Sequence, residues 1–366
     1  MGSSATPGGT VAIVHDYFTQ QGGAERVVGE FARALPGATV WTSVADPTIL
    51  PELLDGVPIR TTPLQWTRRL RVPLVALAPL LPMTFRRLGV GGATTVLSSS
   101  SGFAHHVRPP AGGRSVAYIH TPPHFLWEVD GYYDGRPWLR RLVRPYLESL
   151  RRADRAAIRR VDILLANSAY TAERLLRIHG RAARVLHPPI DTHRFTPTTD
   201  RSGRFLVVAR LRRHKRLELA LQAATRSGRG LDVIGDGPDE AFLRGVAGPT
   251  VRFLGRLDDA AVAEAMARCI ALVVPGTEDF GLTMAEVQAA GRPVVAHARG
   301  GALEIVRDGE TGFLVEGDEV DALIEGMRRA ETTELDTAAL VASAARFRRS
   351  VFDEALRSIL AEAPDR

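Results

Sequence analysis

Short apolar runs bounded by turn residues alternate with stretches of helical periodicity over most of the chain. The runs at residues 11–14, 39–41, 95–97, 115–119, 163–166, 183–186, 205–209, 231–234, 251–254, 271–274 and 293–296 read as strands. The first is followed by Gly22-Gly23 and a helical pattern beginning near Ala24. Near-continuous apolar strands alternating with helices predict an α/β class with parallel sheets covered on both faces. The Pro-rich stretch 187–191, then the polar stretch 196–203, reads as a hinge and linker with a strand series on each side. The pattern therefore predicts two doubly wound, Rossmann-like domains, 7–190 and 191–345. Residues 346–366 form a C-terminal helical segment able to cross back to the first. No repeat of solenoid length is present.

At 366 residues, 45% of them hydrophobic, the chain can build two sizeable cores, which argues against long disorder. The formal charge is +6, and among 47 basic residues Lys215 is the only lysine. A bias toward arginine accounts for the rest. It makes the surviving ammonium a candidate for a position that needs a compact charge and not a planar fork. The single cysteine, Cys269, cannot close an internal disulfide. Its apolar neighbours mark it as a buried small residue and not a nucleophile. Met1-Gly2-Ser3-Ser4 has neither a charged segment nor an apolar h-region, and the longest apolar stretch, 72–83, contains three prolines. These features predict a cytoplasmic protein.

The densest chemical signal is the stretch 275–294. A strand ends at Val274, and a loop carries Glu278, Asp279, Phe280 and Gly281. A helix starts near Leu282 and stops at Gly291, and the next strand begins at Pro293. A helix start presents unpaired amides and a positive dipole end, for which an anionic diphosphate is a natural ligand. Glu286, one turn in, can accept two hydrogen bonds from a ribose diol, and Glu278 can hold sugar hydroxyls. Gly22 and Gly23, after the first strand, let backbone amides approach a phosphate without a Cβ in the way. Taken singly, each feature has a plain structural alternative: a tight turn for Gly22-Gly23 and for Gly235–Pro238, a solvated carboxylate for Glu278, a structural strand-end imidazole for His120.

Together the paired glutamates, eight apart around Phe280-Gly281, resemble glycosyltransferase family 4 over essentially the whole chain. The resemblance is carried further by Val14-His15-Asp16-Tyr17, Gly22-Gly23-Ala24-Glu25-Arg26 and the stretch 98–105. His120-Thr121-Pro122-Pro123 with Phe125-Leu126-Trp127, and Gly300-Gly301-Ala302-Leu303-Glu304, complete it. It is closest to the bacterial mannosyltransferase-like members. It implies a GT-B fold, with two Rossmann-like domains facing across a cleft. It also implies retaining transfer of a hexose from a nucleotide-diphosphate sugar, GDP-mannose in the first place and a UDP-sugar in the second. By the same resemblance Arg210 and Lys215 hold the donor diphosphate, and His120 lies beside the transferred sugar. Gly235 lies near the base, and Asp279, Phe280, Gly281 and Leu282 join Glu278 and Glu286 around the donor. Arg212, Arg213 and Arg216 read as solvated, with a second phosphate contact as the alternative, and His297 with residues 298–301 is assigned to the sugar pocket.

No residue stands out as a covalent nucleophile. Arg210, Lys215 and the helix amides would stabilise the leaving diphosphate, which takes the acceptor's proton. No Asp-x-Asp site stands where the family would need one, so no cofactor and no metal are expected. The acceptor, a hydroxyl of a glycan, a lipid-linked or a small molecule, is assigned to the first domain. Arg68-Arg69-Leu70-Arg71 and the stretch 136–160, with Trp138, Leu139, Leu142, Tyr146 and Leu147, are basic and amphipathic. They fit peripheral contact with an anionic membrane and equally a solvated helix face. There is no nucleic-acid module and no G-x-G-x-x-G fingerprint. A sugar phosphorylase, a nucleotide-sugar epimerase and a catalytically silent nucleotide-sugar-binding subunit are the competing readings.

Overall fold

The computed structural model describes residues 10–70, 72, 77–128, 137–317 and 319–362; for 51, 52 and 137–143 it describes the backbone only. These residues divide into two compact units. The chain through His187, with the residues from Asp353 on, forms one, and Pro188–Phe352 forms the other.

The first unit carries β1 (Val11–His15), β2 (Thr39–Thr42), β3 (Ile59–Thr61), β4 (Thr95–Ser100), β5 (Arg114–Ile119), β6 (Ile163–Ala166) and β7 (Arg184–Val185). All pair in parallel, in the order β3-β2-β1-β4-β5-β6-β7. Every residue of β4 and β6 is buried. That is the physical reason β6 reads as an unbroken apolar run instead of an alternating one; in β4 the buried run passes from Val96-Leu97 into Ser98-Ser99-Ser100. Helix Gly23–Ala34 buries Val27, Val28 and Phe31. Val14, Phe85, Phe103 and Leu126 centre the core on one side.

The second unit carries β8 (Phe205–Val208), β9 (Leu231–Ile234), β10 (Val251–Gly255), β11 (Leu272–Val274), β12 (Val294–His297) and β13 (Gly312–Val315), parallel in the order β10-β9-β8-β11-β12-β13. One core layer gathers Met266, Met284, Val287 and Ile305, and another gathers Phe205, Leu221, Phe313 and Leu323. Helix Leu282–Ala289 is buried at Met284, Ala285, Val287, Gln288 and Ala289, so apolar residues outnumber Thr283, Glu286 and Gln288 along it. In each sheet the strand order reverses once, between β1 and β4 and between β8 and β11. Reversal sends successive crossovers to opposite faces and leaves a crevice beyond the carboxyl ends of the strands.

Two strands lie outside the apolar pattern. β3 has three residues, none of them buried, and β13 opens on a glycine. Cys269 is buried, donates its thiol hydrogen to Met266 O at 3.3 Å, and is pushed up to about 12 by burial. The C-terminal helix Arg349–Ala361 is tied into the first unit: Arg33 donates to both oxygens of Asp353, at 3.0 and 2.7 Å.

The basic helix Pro137–Arg160 buries part of its apolar set and keeps Arg144, Arg152, Arg155, Arg159 and Arg160 exposed. Leu147 and Leu150 are buried in the first unit's core, which corrects the reading of Leu147 as part of an outward-facing surface; Tyr146 is exposed. Arg151 and Arg155 stack over Trp127, 5.6 and 5.0 Å from its ring centre. Arg71, Arg136 and the side chains of Trp138, Leu139 and Leu142 lie outside the described residues. Trp66 and Leu70 are exposed, while Arg68 pairs with Asp46 at 2.6 Å. Among the described residues no helix is long and apolar enough to cross a membrane.

Candidate functional site

At the carboxyl end of β8 the backbone turns sharply. Arg212 N donates to Arg210 O at 2.8 Å, a single 3-10 turn runs over Arg213–Lys215, and Arg216 closes it in a left-handed conformation (φ 52°). A left-handed arginine is sterically costly, so the surrounding packing must impose it. Its effect is to start the next helix, Leu217–Ser227, while leaving Lys215 at the edge of the sheet. Lys215 Nζ donates to both oxygens of Glu278, at 2.8 and 2.6 Å. The two side chains are about three-quarters buried.

Glu278 comes from the loop after β11, and close backbone approach sets where that loop runs. A Cβ on Gly276 would stand 2.7 Å from Lys215 O, so only glycine lets the loop lie against the lysine turn. The loop after β12 is sewn on from the other side: Gly301 N donates to Glu278 O at 2.8 Å, and a Cβ on Gly301 would stand 2.0 Å from Phe280 O. Phe280 is buried and meets Phe347 edge-on at 5.2 Å, anchoring the loop before Gly281, the left-handed N-cap of helix Leu282–Ala289. The N-cap, being glycine, has no side chain to cap that helix start. Glu286 is half-buried on its second turn, and His297 is buried at the end of β12. Gly235 follows β9, its amide donating to Gly255 O at 2.8 Å, while Asp236 O accepts from Leu211 N at 2.8 Å.

The structure thus gathers the loops bearing Arg210, Lys215, Gly235, Asp279 and Gly281, and the helix bearing Glu286, after the carboxyl ends of β8, β9 and β11. Arg213 is exposed over Phe242, at 4.8 Å, as the pattern predicts. Arg212 departs from the prediction: its Nε is buried and has no hydrogen-bond partner among the described residues.

In the first unit the strand reversal gathers a second set. β1 pairs with β4 so that His15 lies opposite Ser99, and β4 pairs with β5 so that Ser100 lies opposite Ile119, the residue before His120. A chain of contacts follows from that register. His15 Nδ1 is 3.1 Å from Ser99 Oγ, which is 2.7 Å from His120 Nε2. His120 is buried, and burial, with the charge of His15 second, pushes it down to about 3. It is a neutral imidazole at ordinary pH. Asp16, just past β1, accepts four backbone amides: Ser101 and Gly102 on Oδ2 at 2.7 and 2.8 Å, Phe103 and Ala104 on Oδ1 at 2.7 Å each. Gly22 N–H donates to Glu25 Oε2 at 3.0 Å, so this amide serves the cap of helix Gly23–Ala34. Gly23 is exposed on the first turn. In the sequence Asp16 and Ser99 stand out only as parts of motifs. Their signal was that the two motifs end neighbouring strands.

Two doubly wound parallel sheets, each reversing once, are the architecture of the GT-B glycosyltransferases. The chain belongs to glycosyltransferase family 4: the family model described as Glycosyltransferase Family 4 matches residues 21–194, and that described as Glycosyl transferases group 1 matches residues 190–347. The D-inositol 3-phosphate glycosyltransferase of Geodermatophilus obscurus is 34% identical over 191 residues, 43% of this chain and 42% of that protein. The GDP-mannose-dependent monoacylated alpha-(1-6)-phosphatidylinositol monomannoside mannosyltransferase of Corynebacterium glutamicum is 31% identical over 197 residues, 45% of this chain and 51% of that protein. The matched stretches thus span about half the length of these relatives or less. The Anabaena protein HepE, solved with UDP and glucose, superposes with a TM-score of 0.73 at 18% identity, covering 96% of this chain and 99% of its own.

Proposed function

We propose that this chain transfers a hexose from a nucleotide-diphosphate sugar to an acceptor hydroxyl, with retention at the anomeric carbon and no metal in the chemical step. The donor we favour is GDP-mannose, and the acceptor a glycan, a lipid-linked or a small molecule. The observation that carries this reading is Lys215 held by Glu278 at the edge where β8 and β11 part. A diphosphate arriving there meets a compact ammonium, the Arg210 segment, the buried Arg212 Nε and a helix start whose N-cap is a glycine. When the phosphate takes the ammonium, Glu278 is released toward the sugar hydroxyls. Glu286 holds the ribose, and Gly235 borders the base.

As the glycosidic bond to the diphosphate breaks, negative charge grows on the leaving phosphate. Preorganised cations and amides stabilise that charge more than they stabilise the intact donor. The leaving phosphate accepts the acceptor's proton on the same face of the sugar. His120, being neutral, serves as a hydrogen-bond partner for a sugar hydroxyl and not as a cation. The name of the Corynebacterium glutamicum relative supports GDP-mannose, and the ligands of the Anabaena protein support a UDP-sugar as the second reading.

Thermal unfolding against GDP-, UDP-, ADP- and dTDP-sugars tests the reading. A ligand at 100 times its Kd stabilises by about 2.7 kcal/mol, a shift of several degrees. No shift with any of them sinks it. NMR of the product fixes the anomeric configuration. Release of nucleoside diphosphate with acceptor separates an enzyme from a silent binding subunit.

A further inference from the structure

The first unit holds a cluster of buried chemistry that the donor reading does not use. His105 and His106 form the short 3-10 turn after β4, and Asp154 projects from helix Pro137–Arg160. All three are buried, and one ligand atom from each lies within 4.8 Å of the others. His105 Nε2 is 2.8 Å and His106 Nε2 3.6 Å from Asp154 Oδ1. The second distance is too long for a hydrogen bond, and His106 Nε2 has no hydrogen-bond partner among the described residues. An orphaned buried imidazole nitrogen beside a carboxylate needs an explanation, and an ion supplies one.

The outer contacts suit ligands. His105 Nδ1 is 2.9 Å from Ser100 Oγ, which can accept its N–H and so leave Nε2 as a bare lone pair. Trp127 Nε1–H donates to Asp154 Oδ2 at 2.9 Å, steadying the carboxylate while Oδ1 faces the histidines. Ring-nitrogen and carboxylate partners of this kind fix ligand orientation in metal sites. Ligands about 2.0–2.2 Å from a tetrahedral zinc stand roughly 3.3 Å apart, between the two distances to Oδ1 seen here. A cavity of about 500 Å³, lined in part by His105, His106, Ala157 and Ser115, provides entry and room for a water as fourth ligand. Arg108 and Arg160 also line it; both are exposed, and the charge of Arg160 is felt at His106.

We propose that His105 Nε2, His106 Nε2 and Asp154 Oδ1 form a site for one divalent cation of the zinc type. It fastens the turn after β4 to helix Pro137–Arg160. The ion is structural, it belongs to the first unit, and the proposal stands apart from the donor reading.

The full chain, stripped with chelator and dialysed, is titrated with Co2+ and followed by its visible absorption. One equivalent should raise a tetrahedral d–d band, Zn2+ should abolish it, and Zn2+ should raise Tm. His106→Asn should lose the band. His124→Asn should keep it, which excludes the exposed pair of His124 with Glu128, 2.6 Å apart, as the binder. A band that survives in His106→Asn, or no band and no Tm change in the wild type, overturns the proposal. Should His106→Asn not fold, anomalous diffraction at the zinc edge from wild-type crystals grown with Zn2+ decides: a peak among the three residues supports the site, and a peak elsewhere or none overturns it.

Discussion

Lys215 Nζ stands 2.8 and 2.6 Å from the two carboxylate oxygens of Glu278, so the only lysine of the chain is held by a glutamate that the sequence pairs with Glu286. Both partners keep roughly a fifth to a quarter of their side-chain surface in water. A partly solvated pair of this kind contributes about 1 kcal/mol or less to folding. Its loss should therefore scarcely move stability. Removing one preorganised donor to a developing charge costs about a hundredfold or more in rate. Lys215→Ala should keep its urea midpoint and lose transfer by at least that factor at saturating donor. Lys215→Arg should recover little, because a planar fork does not fit where a point charge sits. Near-normal turnover in the alanine variant would refute the donor assignment.

The loops that carry Glu278 and Gly301 lie backbone against backbone. A Cβ on Gly301 would fall 2.0 Å from Phe280 O, and a carbonyl fixed by a buried ring cannot retreat. Gly301→Ala must therefore push the two loops apart and break the bond from Gly301 N to Glu278 O. A loss of about 2–3 kcal/mol is expected for overpacking at this site. Nucleotide-sugar binding should weaken with it, because Glu278 moves. Equilibrium unfolding and calorimetry with the donor check the two effects separately. Unchanged stability and binding would mean that the loops are not locked.

Much of this arrangement is legible in the sequence, for definable reasons. Strands buried between two layers are mostly apolar, so β1, β6, β8 and β12 announce themselves, while β4 shows only its Val96-Leu97 and hides three buried serines. The two-residue β7 and the exposed β3 gain little from burial and leave a faint trace. Loop glycines are visible as letters, but which backbone each one touches depends on the pairing of distant strands. Asp16 shows the same limit, since its four amide partners lie 85 to 88 positions away. So does Arg292. It is 1% exposed, and its guanidinium donates to Ala267 O and Thr198 O, yet in a chain this rich in arginine nothing local distinguishes it.

Asp16 should tolerate no neutral substitute. Each of its oxygens accepts two amide hydrogens, and the residue is buried. Asn replaces one oxygen by an NH2 group that faces two donors. Two charge-assisted bonds are lost and two buried N–H groups are left unpaired. Hydrogen bonds to charged groups contribute about 1.5–3 kcal/mol each, so a loss of roughly 3 kcal/mol is expected. Urea unfolding of Asp16→Asn measures it. Faster amide hydrogen exchange confined to residues 101–104 would locate the damage at this turn, and a change below 1 kcal/mol would contradict the bonding described.

His120 gives the chain a predictable acid sensitivity. Burial and the neighbouring charge of His15 push its native imidazole down to about 3, against an ordinary value of 6.5. Between those limits the unfolded chain holds a proton that the native chain does not, so lowering the pH favours unfolding. The contribution is complete above about pH 6.5, declines as the pH falls, and is gone near pH 3. At pH 5 the loss is about 2 kcal/mol, taking about 1.4 kcal/mol per pH unit below the ordinary value. His120→Asn carries no titrating ring, so its stability should fall less between pH 7.5 and pH 5 by about that amount, whatever its stability at pH 7.5. Urea midpoints across that range, measured for both proteins, make the comparison. Parallel curves would mean that the native imidazole titrates near its ordinary value, and then the Ser99–His120 contact could not be holding a neutral ring.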